Sequence, residues 1–414
     1  MLGLYRKILD KILSGLIGHG ELRVIWPDGT ASTYGREDSP RAGMHITAAA
    51  WVRRLALNPG LAMGEGFMEG GIVPCHGGIH ELLTLMLLNL EDDTAVPTMG
   101  WRNRAARWLR PLARANDAHR ARRNVAHHYD LNGRLYSLFL DRDRQYSCAY
   151  FGSGDETLEE AQAAKKRHIA AKLHLTRPGL SVLDIGCGWG GMALTLARDY
   201  GARVTGITLS QEQLDAARAR AQEAGLADRV TFELLDYRAV EQKFDRIVSV
   251  GMFEHVGVSH YPEFFATVKR ALKPDGVALL HSIGRAAGPG VTNPWIAKYI
   301  FPGGYSPALS EVLGPIERSG LWVADIEILR LHYAKTIAQW RRRFAANRDT
   351  IATLYDERFC RMFEFYLSGS ELAFSHADHM NFQIQLTPDQ RALPLTRDYM
   401  FENERAEAFA SAAE

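Results

Sequence analysis

The sequence is poor in the features that mark secreted, metal-bound, membrane-spanning and nucleic-acid-binding chains. Its four cysteines, Cys75, Cys148, Cys187 and Cys360, lie far apart and form no CxxC pair, which argues against a disulfide framework and a structural zinc site. No apolar run approaches the roughly 20 residues that cross a bilayer; the most apolar stretch is Leu82 to Leu88. Near the N-terminus Leu4, Ile8, Leu9, Ile12, Leu13 and Leu16 recur at helical spacing, while Arg6, Lys7, Asp10 and Lys11 interrupt any signal-peptide core. An amphipathic, core-packed helix is expected there, with cytoplasm as the compartment. Charge of one sign is also missing: 49 Lys and Arg face 48 Asp and Glu, a net +1, so attraction to an anionic partner must come from a local patch. The sequence shows no internal repeat and no low-complexity segment.

What remains is an ordinary globular composition, 46% apolar and 23% charged over 414 residues, long enough for two domains at roughly 150 residues each. Residues 1–95 read as a small domain with a hairpin at Leu22 to Trp26, where Pro27, Asp28 and Gly29 supply the turn, and an apolar helix near Leu82 to Leu90. Residues 96–123 read as a basic linker; Trp101 to Arg123 holds eight arginines and one acid, Asp117. On a helical wheel Trp101, Ala105, Trp108, Leu109 and Leu112 oppose Arg104, Arg107, Arg110 and Arg114, the form of an interfacial helix or of a linker helix with a solvated basic face. From about residue 165 strands and helices alternate, the pattern of a mostly parallel sheet. Strands are expected at Ser181–Ile185, Arg203–Ile207, Val230–Leu234, Arg246–Val250 and Val277–His281. Later strands near Val323–Leu329 and Asn381–Leu386 flank a helical stretch from about Thr336 to Phe374. Residues 124–395 form the expected catalytic domain, and 396–414 a tail.

Val182 to Gly191, VLDIGCGWGG, is a buried strand, a glycine turn and a helix start. Glycine lets the backbone approach a ligand, and the helix N-terminus offers free amides. Gly186, Gly188 and Gly191 satisfy GxGxxG, which also fits a dinucleotide site or a structural turn. A nicotinamide site wants an acid about 20 residues on, where this chain has Gly206, Ile207, Thr208, Leu209 and Ser210. Asp184 before the glycines and Asp236 after the third strand are the layout of S-adenosylmethionine enzymes.

Longer runs then carry a family resemblance: Tyr146 to Phe151, the glycine loop, Val250 to Gly257, and Lys298 to Gly304, with His128, Tyr129, Asp130, His332, Tyr333, Thr336 and Trp340. Together they resemble the bacterial cyclopropane fatty acid synthase family over about residues 124 to 390. Glu65 to Gly70 looks like the small extra domain of members that act on phospholipids. The resemblance implies an α/β, class I S-adenosylmethionine methyltransferase fold, a seven-stranded, mostly parallel, Rossmann-like sheet, with a small N-terminal α+β domain. It implies methylene transfer from S-adenosylmethionine to a cis double bond in a membrane phospholipid acyl chain, through a carbocation deprotonated by bound bicarbonate. It places Cys148, Glu254, His281, Tyr333 and the Ile283 backbone around that anion. Cofactor contacts fall at Tyr146, Ser147, Asp184, Gly186, Gly188, Gly190, Thr208, Leu209, Gln213, Asp236 and Tyr237. The expected partners are an unsaturated phospholipid and an anionic membrane surface, with peripheral association and no nucleic acid; a homodimer is allowed.

Other readings stand beside these. Cys148 also suits a small buried apolar residue and His281 a satisfied core histidine; a Cys, Glu and His trio without a second cysteine or a histidine pair is a poor metal site. Within the family, the same cation losing a different proton gives methyl- or methylene-branched chains. A lipid-binding protein that had kept the fold without activity is a further alternative. A nucleic-acid methyltransferase would need Asn or Asp followed by prolines where this chain has Gly251, Met252, Phe253 and Glu254.

Overall fold

The computed structural model describes residues 2–90 and 133–410. The basic 101–123 segment and the His128 to Asp130 group therefore lie outside the described residues. The chain forms two compact units. One comprises residues 2–90, 291–302 and 337–378; the other comprises 133–290, 303–336 and 379–410. The units thus differ from the linear division into 1–95 and 124–395, because 291–302 and 337–378 cluster with the N-terminal elements.

The first unit holds a four-stranded sheet in the order β2-β1-β3-β4, with β1 Glu21–Ile25, β2 Ala31–Gly35, β3 Arg41–Ile46 and β4 Ile72–Cys75. The hairpin closes as its turn residues dictate: Trp26 and Thr30 pair by backbone, and Asp28 Oδ1 accepts from the Thr30 amide at 3.0 Å. Leu22, Val24 and Trp26 alternate inward to a core shared with Leu9, Leu13, Leu82 and Leu85. The N-terminal helix Leu2–Leu16 is only partly core-packed, since Leu4 and Ile8 remain exposed. The later segments complete this unit. Trp295 is fully buried and packs edge-on against Phe365, while Lys298 Nζ and Tyr299 OH donate to Glu65 Oε1 at 2.7 and 2.9 Å.

The second unit is built on a seven-stranded sheet ordered β10-β11-β9-β8-β5-β6-β7. Its strands are β5 Ser181–Ile185, β6 Arg203–Thr208, β7 Val230–Leu234, β8 Phe244–Val250, β9 Leu272–Arg285, β10 Trp322–Leu329 and β11 His379–Thr387. β5 to β9 pair in parallel, and β11 runs antiparallel to both β9 and β10. This is the seven-stranded, mostly parallel sheet expected for a class I methyltransferase. The inner strands read as continuous apolar runs because both faces are covered. β5 lies between β6 and β8, so the strand order reverses at its carboxyl end, where open α/β sheets hold ligands. The helix Leu158–Leu173, opened by a reciprocal Thr157 and Glu160 capping box, also belongs to this unit.

Candidate active site

At the end of β5 the amides of Gly186 and Cys187 both donate to the Ile207 carbonyl of β6, at 2.9 and 3.0 Å. Gly186 has φ +80°, and a Cβ there would lie 2.7 Å from Met252 Cβ, so glycine is required by conformation and by space. Gly188, at φ +54°, is different: an added Cβ would meet nothing within 4 Å. A pocket opens over this loop. Its wall brings together Tyr146, Ser147, Asp184, Gly186, Gly188, Thr208, Leu209, Gln213, Asp236 and Tyr237. Gly190 is not on the wall. It precedes the helix Gly191–Tyr200, and a Cβ would lie 2.8 Å from the Phe232 ring and 3.0 Å from Ala217 Cβ, so close packing requires a glycine there.

The wall's polar groups are individually fixed. Thr208 Oγ1 donates to Gln213 Oε1 at 2.9 Å, and Arg238 grips Asp236 with Nε and Nη2 at 2.9 and 2.7 Å. Asp184 is fully buried and its Oδ2 has no protein partner; burial, opposed by the Lys165 charge, pushes its carboxyl up to about 7. An unpartnered buried carboxyl oxygen fits a ligand that carries positive charge and N–H donors. The free space over Gly188 fits a ligand lying against backbone. Both properties suit S-adenosylmethionine, whose sulfonium and amino groups are cationic.

One contributor has no counterpart in the sequence reading. Lys165 is completely buried, and its Nζ donates to Gln145 Oε1 at 2.6 Å and to Ser147 Oγ at 2.8 Å. Burial, opposed by Asp141, pushes its amine down to about 8. Lysine is almost never fully buried without partners, so its placement behind Ser147 and Gln145, both on the pocket wall, marks it as part of the site's electrostatics. Gln162, Lys165, His168 and Lys172 share one face of the helix Leu158–Leu173 and are all buried. That polar stripe is the signal that could have found it.

The proposed anion ligands sit just beyond the pocket. Glu254 lies on the turn Phe253–His255 that follows β8. Its Oε1 accepts the Ile283 amide at 2.6 Å, and its Oε2 is buried without a partner. The Ile283 N–H, expected among the anion's neighbours, donates to Glu254 here, which satisfies a buried backbone amide. Burial raises the Glu254 carboxyl above its usual range, against the Ile283 hydrogen bond. His281 is paired with Val250 across β8 and β9, and its Nε2 is likewise buried without a partner. The Cys148 thiol is fully buried and raised by that burial. The next amide, of Ala149, donates to Thr336 Oγ1 at 3.0 Å, which ties this segment to the helix His332–Ala346 that carries buried Tyr333.

Burial, with added repulsion from Lys165 and Lys172, pushes the His281 imidazole down to about 3 from its ordinary 6.5. Between those values the unfolded chain binds the extra proton, so His281's contribution to stability is fully present above about pH 6.5 and lost as pH falls toward 3. His255, pushed down to about 4 by burial, acts in the same direction. The urea midpoint is therefore expected to fall steeply with acid in this window, and less steeply in His281→Gln. Parallel pH profiles for the two proteins would refute the assignment.

Comparison with known proteins decides the family. Residues 116–384 match the family model described as mycolic acid cyclopropane synthetase. The chain belongs to this family. Residues 5–93 separately match a domain of unknown function. The cyclopropane-fatty-acyl-phospholipid synthase of Escherichia coli K12 is 46% identical to this cyclopropane synthetase family member over 257 residues. That match covers 62% of this chain and 65% of the Escherichia coli protein, just under two thirds of its length. The tuberculostearic acid methyltransferase of Mycobacterium tuberculosis is 36% identical over 389 residues, 89% of this chain and 88% of the other. A crystal structure of the mycolic acid cyclopropane synthase CmaA1 complexed with SAH and CTAB has 33% identity and a TM-score of 0.60. It covers 64% of this chain and 97% of its own. As a cyclopropane synthetase by family and a class I methyltransferase by fold, the chain is an S-adenosylmethionine-dependent enzyme.

Proposed function

We propose that this family member converts the cis double bond of an unsaturated acyl chain in a membrane phospholipid into a cyclopropane ring, with bicarbonate bound between Glu254 and His281. The observation that carries this reading is the pair of buried, unpartnered polar atoms, Glu254 Oε2 and His281 Nε2, immediately past the pocket residues Val250, Gly251 and Met252. Two such atoms in an apolar interior are costly unless a small polar group satisfies them. When bound, S-adenosylmethionine would supply an electrophilic methyl group, and bicarbonate, held by Glu254 and His281, would supply a weak base for a proton of that methyl once it is attached to the chain. Closure of the ring then consumes the cation left on the neighbouring carbon.

The chain's own residues set the conditions. Burial raises the Glu254 carboxyl, which favours sharing a proton with an anion, and His281, pushed down to about 3 by burial, adds no net charge at neutral pH. Neither is a strong nucleophile placed to trap the cation. Among the described residues no helix is long and apolar enough to cross a membrane; the partner proposed for the enzyme is an anionic bilayer surface, met peripherally.

The resemblance to the tuberculostearic acid methyltransferase over most of both chains favours one second reading, a branched product from the same cation. Vesicles of monounsaturated phospholipid incubated with the purified protein and labelled S-adenosylmethionine separate the two by proton NMR of the extracted lipid. Upfield ring protons are the expected result. Label in lipid without them establishes the branched product, and no label in lipid overturns both.

A further inference from the structure

His281 has two ring nitrogens with different surroundings: Nε2 has no partner, while Nδ1 lies 3.1 Å from Gln383 Nε2. The two residues face each other across β9 and β11, where His281 and Gln383 are register partners. Behind Gln383, Lys172 Nζ donates to Gln383 Oε1 at 2.7 Å. A protonated lysine has three donors and no acceptor, so the oxygen of the Gln383 amide must face Lys172 and its NH₂ must face His281. An amide NH₂ can only donate, so Nδ1 must accept, and a neutral imidazole that accepts at Nδ1 carries its proton on Nε2.

We propose that Lys172 and Gln383 are positioning residues that lock His281 with its proton on Nε2, making the unpartnered nitrogen a hydrogen-bond donor. The proposal rests on the reading of an anion between His281 and Glu254, because an anion needs a donor there and the opposite tautomer would present a lone pair. The lock is anchored further back. Lys172 and His168 both bond Glu327 Oε2, His168 at 2.6 Å, and His168 Nδ1 lies 3.2 Å from Glu404. Against the upward push of burial, the His168 hydrogen bond and the neighbouring charges bring Glu327 down to about 2. Burial pushes the Lys172 amine down, and the ionised Glu327 opposes that push and favours its ammonium form. Lys172, Gln383 and His281 are all nearly inaccessible to solvent, so water does not compete for these donors.

The test is nitrogen NMR of the full-length protein labelled at histidine, with the His281 signals identified by their loss in His281→Gln. The expected wild-type spectrum has a protonated Nε2 and an unprotonated Nδ1; the reverse overturns the proposal without any variant. In Gln383→Glu the new carboxylate accepts from Nδ1 and the proton is expected to move there, whereas Lys172→Arg, still a pure donor, should keep the wild-type tautomer. Unchanged nitrogen shifts in Gln383→Glu overturn the lock. Turnover should fall about 10–100-fold in Gln383→Leu, the scale of losing a partner that orients a functional histidine, with the KM for S-adenosylmethionine held. A wild-type tautomer as expected, joined to full turnover in Gln383→Leu and Gln383→Glu, would leave the lock standing and refute the anion reading instead.

Discussion

Glu254→Gln is expected to lower kcat by about 10²–10⁴-fold, the range of a positioned acid or base, while the KM for S-adenosylmethionine changes little. Glutamine is nearly isosteric, and its side-chain oxygen can still accept the Ile283 amide that Glu254 Oε1 now takes at 2.6 Å, so the turn after β8 should survive. The Gln amide can still donate to an anion, so what is lost is only the transferable proton that Glu254 can share with it. Its burial and raised pKa make that sharing favourable, since two adjacent anions in the interior would repel. Removing carbonate from the buffer should slow the wild type and leave the residual rate of the variant unmoved. Equal turnover in the variant and the wild type would exclude the role. Loss of cofactor binding in proportion to turnover would make Glu254 a structural residue.

The glycine loop gives the second large effect. Gly186→Ala places a methyl 2.7 Å from Met252 Cβ on a backbone at φ +80°, and overpacking of this kind costs about 1–3 kcal/mol. Both cofactor affinity and melting temperature should drop. Gly188→Ala carries similar backbone strain at φ +54° but meets no protein atom within 4 Å, so its methyl intrudes only on whatever occupies the pocket. It should weaken binding of the demethylated cofactor, measured by calorimetry, by about tenfold or more, that is by about 1.4 kcal/mol or more. Gly225→Ala, also at positive φ with open space around it and absent from the pocket wall, supplies the control for backbone strain alone. Wild-type affinity in Gly186→Ala and Gly188→Ala would remove the loop from the cofactor site.

These two sites were unequally legible. The VLDIGCGWGG run announces itself because a buried strand, a glycine turn and a helix start are local features, and local sequence dictates backbone conformation. The strands from β5 to β8 follow for the same reason: each is a short apolar run bounded by turn residues. Gly190 shows the limit, since its close approach to the Phe232 ring is invisible until the ring is placed.

The polar interior was hidden more deeply. β11 alternates Asn381, Gln383, Gln385 and Thr387 with Met380, Phe382, Ile384 and Leu386, a pattern that period-2 reasoning assigns to one wet and one dry face. All four polar residues are nevertheless buried, and Lys172 reaches Gln383 from the helix Leu158–Leu173. That helix in turn buries Lys165 and Lys172, a residue type almost never fully buried unless paired.

By itself, then, the sequence determined the glycine loop, the order and approximate bounds of the large sheet's strands, the hairpin at Asp28 and Gly29, and the family. Each depends on neighbours in the chain or on the spacing of short runs. Only the tertiary structure decided that 291–302 and 337–378 join the N-terminal unit, that the Ile283 amide is taken by Glu254, and that His281 is backed by Gln383 and Lys172. Those outcomes depend on which buried donors and acceptors meet across strands far apart in sequence, Gln383 and His281 being 102 residues apart. Hydrogen-bond satisfaction in the interior is a property of the folded arrangement, and no local pattern encodes it.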